Sequence, residues 1–190
     1  MGTSFLSKTE LAKTGFKKCG SNVSISRKCS IYSPGKMVIG DNVRIDDFCI
    51  LSGDIRVGSY VHIAAYCALY AQEANINISD FAGLSARVSI YTFSDDYVFG
   101  LSLTNPTIPD KFKIKLDKGP VTLGKHVIVG AGSIILPNTV IGAGAAIGAL
   151  SLVRGEVDPW TIWKGNPAKS AGRRRSDRIL KLEKELLKNR

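Results

Sequence analysis

Residues 123–158 read LGKHVI VGAGSI ILPNTV IGAGAA IGALSL VRGEVD, six hexapeptides in which the first residue is always Leu, Ile or Val and the fifth is small or β-branched. The same frame holds upstream. It runs through IGDNVR, IDDFCI, LSGDIR, VGSYVH, IAAYCA and LYAQEA from Ile39 and, after a three-residue insertion, through ISDFAG, LSARVS and IYTFSD from Ile78. All fifteen first positions are Leu, Ile or Val, types that make up 48 of the 190 residues, so the run lies far outside chance. Fourteen of the fifth positions are Val, Ile, Cys, Ala, Ser or Thr, and the exception, Glu73, falls where the insertion breaks the register. A period of six with two inward positions suits a short strand and a sharp turn. Three such units close a triangular coil of about eighteen residues, and coils stack at the roughly 4.8 Å spacing of paired strands.

Outward from this frame, Ser7 and Glu10 form a capping box, Leu6 and Leu11 take the staple positions and Gly15 ends the turn, which predicts a short helix over 6–15. GSNVSI at Gly20 matches GDNVRI at Gly40 and GSYVHI at Gly58, so an irregular first coil is expected over 20–38. Coils follow over 39–56, over 57–77 with Gln72 to Asn75 bulging from a corner, and over 78–95. The period then fails, and a long loop is expected over about 96–120. It carries Tyr97, Phe99, Leu101, Leu103 and Phe112, too much apolar surface to leave in solvent. Two further coils, 123–140 and 141–158, precede Asp158-Pro159, which is expected to stop the repeat. Ser176 then caps a last helix to about Lys188, with Ile179, Leu182 and Leu186 on a stripe for packing against the body. The organisation is a capped helix over 1–19, a β-helix over 20–158 and a tail with a helix over 159–190.

No uncharged run approaches the ~18 residues that span a bilayer. The opening MGTSFLSKTE lacks the apolar block of a secretory signal, so a soluble, cytoplasmic protein is expected. The four cysteines form no CxxC pair; Cys49 and Cys67, eighteen apart at fifth positions, should stack as reduced core thiols. A formal charge of +10 calls for an acidic partner. The charge gathers in Arg173, Arg174, Arg175 and the last helix without interleaved aromatics, which disfavours nucleic acid and favours a phosphate-rich small molecule. Coenzyme A or a nucleotide-linked sugar fits that description.

KGPVTLGKHVIVGAGSIILPNTVIGAGAAIGALSLV and the closing GNPAK at Gly165 to Lys169 resemble the hexapeptide-repeat acyltransferases. Within that family the likeness is to the maltose and galactoside O-acetyltransferases and to the sugar acetyltransferases of surface-polysaccharide pathways, and it covers residues 20–172. The resemblance implies an all-β, left-handed parallel β-helix, against the usual right-handed crossover. It further implies a homotrimer in which the long loop crosses to a neighbouring subunit, and acetyl transfer from acetyl-CoA to a hydroxyl or amino group of a sugar, a nucleotide-linked amino sugar or a glycan.

In the maltose and galactoside enzymes the base is a His at the end of a hexapeptide, where the loop leaves. Matched on VSIYTFSDDY, that position is Asp95, an ordinary carboxyl with a pKa near ~3.9 unless its surroundings shift it. An amine acceptor would need less help from such a base than a hydroxyl. Asp96 and Tyr97 beside it are candidates for holding the acceptor. His62, near where the family keeps an active-site Asn across the trimer interface, is a second candidate base, and His126 the runner-up. Coenzyme A is expected along the coils after the loop, at Ala131 and Ala149, with Lys169 and Arg173 on its phosphates. The relatives' Thr-Lys after the last coil is Arg154-Gly155 here, which makes Arg154 the shifted counterpart of that cation. Two histidines are too few for the three-His zinc site of the carbonic anhydrases of this fold, so no metal is expected. The rival reading is a non-catalytic β-helix whose basic tail binds polyanions.

Overall fold

The computed structural model describes residues 4–114 and 117–188. Residues 1–3, 115–116 and 189–190, which include the start of the chain and part of the expected loop, lie outside the described residues, as does the side chain of Glu73.

Three faces of parallel strands wind around one core. The first stacks Lys18–Cys19, Val38–Ile39, the ends of Ile50–Val57 and Ala68–Ile78, Val121–Leu123, Thr139–Ile141 and Glu156–Val157. The second stacks Ser24–Ile25, Arg44–Ile45, His62–Ile63, Gly83–Leu84, Ile128–Val129, Ala146–Ile147 and Thr161–Lys164. The third stacks Ser30–Tyr32, the starts of Ile50–Val57 and Ala68–Ile78, Ser89–Tyr91, Ile134–Ile135 and Leu152–Val153. The chain is therefore an all-β parallel solenoid flanked by two helices.

The hexapeptide frame explains why. Every first position from Ile39 to Val153 is buried, and every described fifth position from Val43 to Val157 is buried except Ser94, which is half-buried. Each fully buried Ile or Leu contributes about 1.5–3 kcal/mol. The fourth position makes the corner: Asn42, Phe48, Tyr60, Tyr66, Phe81, Arg87, His126 and Leu150 all have φ between 55° and 64°. A left-handed conformation costs a side-chain-bearing residue ~1–2 kcal/mol. Stacking between coils offsets this, since Phe48 lies on Tyr66, Tyr60 on Phe81 and Phe81 on His126, each pair with ring centroids 5.0 Å apart.

The insertion stands where the register places it. Gly53 faces Ala71 and Ile55 faces Ile76, so Gln72 to Asn75 oppose Asp54 alone. Gly53, at φ +94°, is pressed so close that a Cβ would sit 1.9 Å from the Ala71 carbonyl oxygen. At the far end the structure differs from expectation, because Asp158-Pro159 does not stop the repeat. Pro159 occupies a corner against Gly142, where no ladder N–H is asked of it, and Thr161–Lys164 adds another rung before Lys169–Arg173 returns antiparallel.

Helix α1 (Lys8–Lys13) carries the capping box of Ser7 and Glu10. Helix α2 (Asp177–Lys188) is held differently from its apolar stripe's promise: Ile179 is half-buried, but Leu182 and Leu186 stay exposed. The fixing contact is polar. Glu183 binds the Lys125 ammonium and His126 Nε2, the latter at 2.7 Å, and Arg174 donates to the carbonyls of His126 and Gly144 at 2.8 and 2.9 Å. Of the cysteines, Cys49 and Cys67 are buried as expected and Cys29 joins their column, whereas Cys19 is exposed.

Candidate active site

The long loop leaves the corner between the third and first faces. Its neck is a two-residue antiparallel pair, Phe93–Ser94 on Asp117–Lys118, and Gly119 N–H donates to the Thr92 carbonyl at 2.9 Å. Beyond the neck the Asp96 carboxylate accepts from the N–H groups of Phe99 and Leu101 at 2.7 Å each and of Val98 at 3.2 Å. Those backbone bonds hold its carboxyl below the usual carboxylate range. Asp96, expected to touch the acceptor, is therefore committed to shaping the loop. Tyr97, Phe99, Leu101, Leu103 and Phe112 are all exposed in the single chain, Tyr97 by 86%.

Three clefts surround the neck. One of about 540 Å³ lies over Tyr91, Phe93, Ile134, Leu136, Leu152 and Arg154. A second of about 470 Å³ lies over Tyr70, Gln72, Tyr91, Asn105, Asp110 and Lys113. A third of about 340 Å³ lies among Asp96, Tyr97, Phe99, Asp117 and Arg154. Asp95 lines all three, and among the described residues its carboxylate has no hydrogen-bond partner. A general base needs that position: reachable from a cleft that can hold the reactants, with its lone pairs unclaimed.

Arg154 shares two of these clefts with Asp95 and pairs with Asp117 at 2.8 Å, so the structure sets it beside the candidate base, apart from the column of small residues. That column forms the corner between the second and third faces, where backbone bonds align Ser85 with Gly130, Gly148 and Lys164, and Ala131 with Ala149. Gly130 and Gly148 keep it flat: a Cβ on either would lie within 2.8 Å of the next coil. Lys169 pairs with Lys164 at the top of the column, while Arg173 pairs with Thr161 at the opposite end of the same strand. Of the residues expected at coenzyme A, the fold thus brings together Ala131, Ala149 and Lys169.

The histidines lie elsewhere. His62 projects from the second face, its side chain 52% exposed, with Nε2 2.7 Å from Asp46. Against burial, which pushes it up, hydrogen bonds from Arg44 and His62 hold the Asp46 carboxyl below its ordinary value. His126 is buried between Phe81 and Trp160 under α2. Neither lines a cleft with Asp95. Among the described residues no group of three His, Cys, Asp or Glu could hold a metal ion, and no helix is long and apolar enough to cross a membrane.

Sequence reasoning missed the tyrosines. Tyr32, Ser52, Tyr70 and Tyr91 stand at one register position of the third face, with Leu136 and Arg154 continuing the line beneath the loop. The signal was present, since each directly follows a first-position residue of the hexapeptide frame or its equivalent in the first coil.

A parallel β-helix of hexapeptides with a loop-borne carboxylate over its side defines an acyltransferase of the hexapeptide-repeat class, and the chain belongs to that family. Residues 36–71 and 120–155 match the profile of the bacterial transferase hexapeptide (six repeats). The chain is 43% identical over 182 residues to a dTDP-4-amino-4,6-dideoxy-D-glucose acyltransferase of Escherichia coli, covering 94% of this chain and 93% of that protein. It is 28% identical to the putative lipopolysaccharide biosynthesis O-acetyl transferase WbbJ of E. coli K12, over 74% of each. The fold superposes with a TM-score of 0.95 and 50% identity, over 100% of both chains, on AntD, an N-acyltransferase from Bacillus cereus solved as a serine variant with dTDP-4-amino-4,6-dideoxyglucose and coenzyme A. AntD has also been solved with dTDP and 3-hydroxybutyryl-CoA, and as variants of an aspartate ten positions after that serine.

Proposed function

We propose that this chain transfers the acyl group of an acyl-coenzyme A to the amine of a nucleotide-linked 4-amino sugar, as a cytoplasmic homotrimer, in the supply of sugars for cell-surface polysaccharide. The observation that carries this reading is Asp95 at the meeting of three clefts with an unclaimed carboxylate. The likeness to AntD and to the E. coli acyltransferase supports the choice of a dTDP-linked 4-amino-4,6-dideoxy hexose. Ser85 and Asp95 are the one Ser and Asp in this sequence separated by ten positions in that order, the spacing of the two residues varied in AntD.

The chemistry follows from the acceptor. The neutral amine attacks the thioester carbonyl, a C–N bond forms, the C–S bond breaks, and Asp95 takes the proton the nitrogen sheds, which leaves with the thiol of coenzyme A. An amine supplies its own lone pair, which is why a carboxylate serves here where a sugar hydroxyl calls for an imidazole. The apolar cleft over Ile134, Leu136 and Leu152 suits the acyl chain, and the flat column at Ala131 and Ala149 suits the carrier arm, with Lys164 and Lys169 at its phosphate end. Asp95 and this column stand at opposite edges of the third face, and one side of a coil, a hexapeptide, spans roughly 20 Å of extended strand. One site therefore takes its two edges from two subunits, and the exposed apolar loop is covered in the same assembly.

The test is direct. Purified protein with dTDP-4-amino-4,6-dideoxyglucose and either acetyl-CoA or 3-hydroxybutyryl-CoA should release free thiol and yield the amide by mass spectrometry. Thiol release no faster than without the amino sugar would overturn the assignment.

A further inference from the structure

Four residues in register on the third face, Tyr32, Ser52, Tyr70 and Tyr91, form an aromatic ladder with one rung too small. Tyr70 and Tyr91 stack with ring centroids 5.2 Å apart, as neighbouring coils permit. Burial, then the nearby Tyr91 and Tyr32 hydroxyls, push the Tyr70 phenol above its ordinary range, which places all three rings in one electrostatic neighbourhood. Between Tyr32 and Tyr70 the rung is Ser52. Two coil spacings separate the rings on either side, roughly 10 Å, which admits one flat ring between them. A cleft of about 470 Å³ lies there, with Ser52 and Gly53 in its floor, Tyr32 and Tyr70 as walls, and Lys36 and Gln72 at its rim.

We infer that this slot binds the base of the nucleotide-linked sugar, a planar pyrimidine taking the place of the absent aromatic rung. Aromatic faces on both sides supply stacking. Gln72 Nε2 lies 3.5 Å from Ser52 Oγ, so an amide and a hydroxyl border the plane of an inserted ring and can meet the alternating donors and acceptors of a pyrimidine imide edge. No carboxylate lines the cleft, and Lys36 at its rim matches a diphosphate leaving the slot. Gly53 completes the floor as bare backbone pressed against Ala71. From the slot the ladder climbs two coils to Tyr91, and the cleft over Tyr70, Gln72 and Tyr91 continues to Asp95. A hexose tethered to the base through a diphosphate thus runs along the corner toward the candidate base, leaving the apolar cleft beyond Asp95 for the acyl group.

This assignment rests on the acyltransferase reading above. The probe is thymidine 5′-diphosphate, titrated calorimetrically against the assembled protein, with coenzyme A as the control ligand. Ser52→Phe completes the ladder and should lower affinity for the nucleotide at least 10-fold while coenzyme A binding and the melting temperature hold. Tyr32→Ala removes an exposed wall and should weaken nucleotide binding by roughly 5-fold to 150-fold. If Ser52→Phe does not fold, Tyr32→Ala decides alone. Nucleotide binding at wild-type strength in the folded variants would overturn the slot and leave the proposed reaction standing. A wild-type protein that binds coenzyme A but neither thymidine nor uridine diphosphate would remove the nucleotide acceptor, and the slot with it.

Discussion

Asp95→Asn and Ala131→Phe alter opposite edges of the third face, and mixing them tests whether two subunits build each site. Asp95 sits at the corner where the loop leaves; Ala131 sits exposed at the other corner, in the column of small residues. The strand between them spans roughly 20 Å, so neither change perturbs the other's surroundings. Asn fits the neck of the loop as Asp does, and Phe at an exposed corner leaves the core intact, so both variants should fold and both should be inactive alone. In a trimer assembled at random from equal amounts of each, a site is intact when one edge comes from the Phe variant and the other from the Asn variant. About one site in four meets that condition. Coexpression with two affinity tags, followed by sequential purification and thiol-release assay, should recover activity well above the sum of the parents, near a quarter of wild type in an unselected mixture. Activity that stays at the sum of the parents would show that both edges serve within one chain, or that the column does not hold the acyl donor.

Asp95→Asn alone should cost ~100-fold to 10,000-fold in kcat, with little change in acyl-CoA binding, measured by steady-state kinetics and calorimetry. A loss smaller than 10-fold would demote it from base to bystander. Lys169→Ala should raise KM for acyl-CoA more than Arg173→Ala does, because only Lys169 meets the column of small residues; added salt should mimic it, and equal effects would argue for a diffuse basic tail. Glu183→Ala leaves the buried His126 Nε2 without its partner, at a cost of about 1–3 kcal/mol, and should expose Lys181 and Lys184 of α2 to trypsin. In the wild type, hydrogen bonds from Lys125 and His126 hold the Glu183 carboxyl below its ordinary 4.5, so its contribution is fully present above that pH and lost as pH falls through the lower folded value. Amide hydrogen exchange in α2, taken relative to its intrinsic rate at each pH, should therefore rise on acidification below pH 4.5 and not on alkalinisation.

The solenoid was legible because one physical rule repeats: a side chain that points inward every sixth residue must be apolar, and all fifteen first positions of the hexapeptides obey it. The ends were less legible because they end by geometry that no rule of period contains. Pro159 was a stop signal by its chemistry, yet at a corner its missing N–H costs nothing, so the stack ran on to Lys164. Asp95 could be placed by its position at the end of a hexapeptide, but Asp96 beside it could not be told apart until the loop folded back and gave its carboxylate three N–H donors. Arg154 stands apart from the column of small residues for a related reason. As the residue following the first-position Val153, it stands on the outward line of Tyr91 and Leu136, and that register places it under the loop beside Asp117, away from the carrier's column. A six-residue period thus fixes which residues look in and which look out. Which outward residues share a site depends on where they stand around and along the stack, and there the tyrosine line, Arg154 and Asp95 fall together while the two histidines fall away.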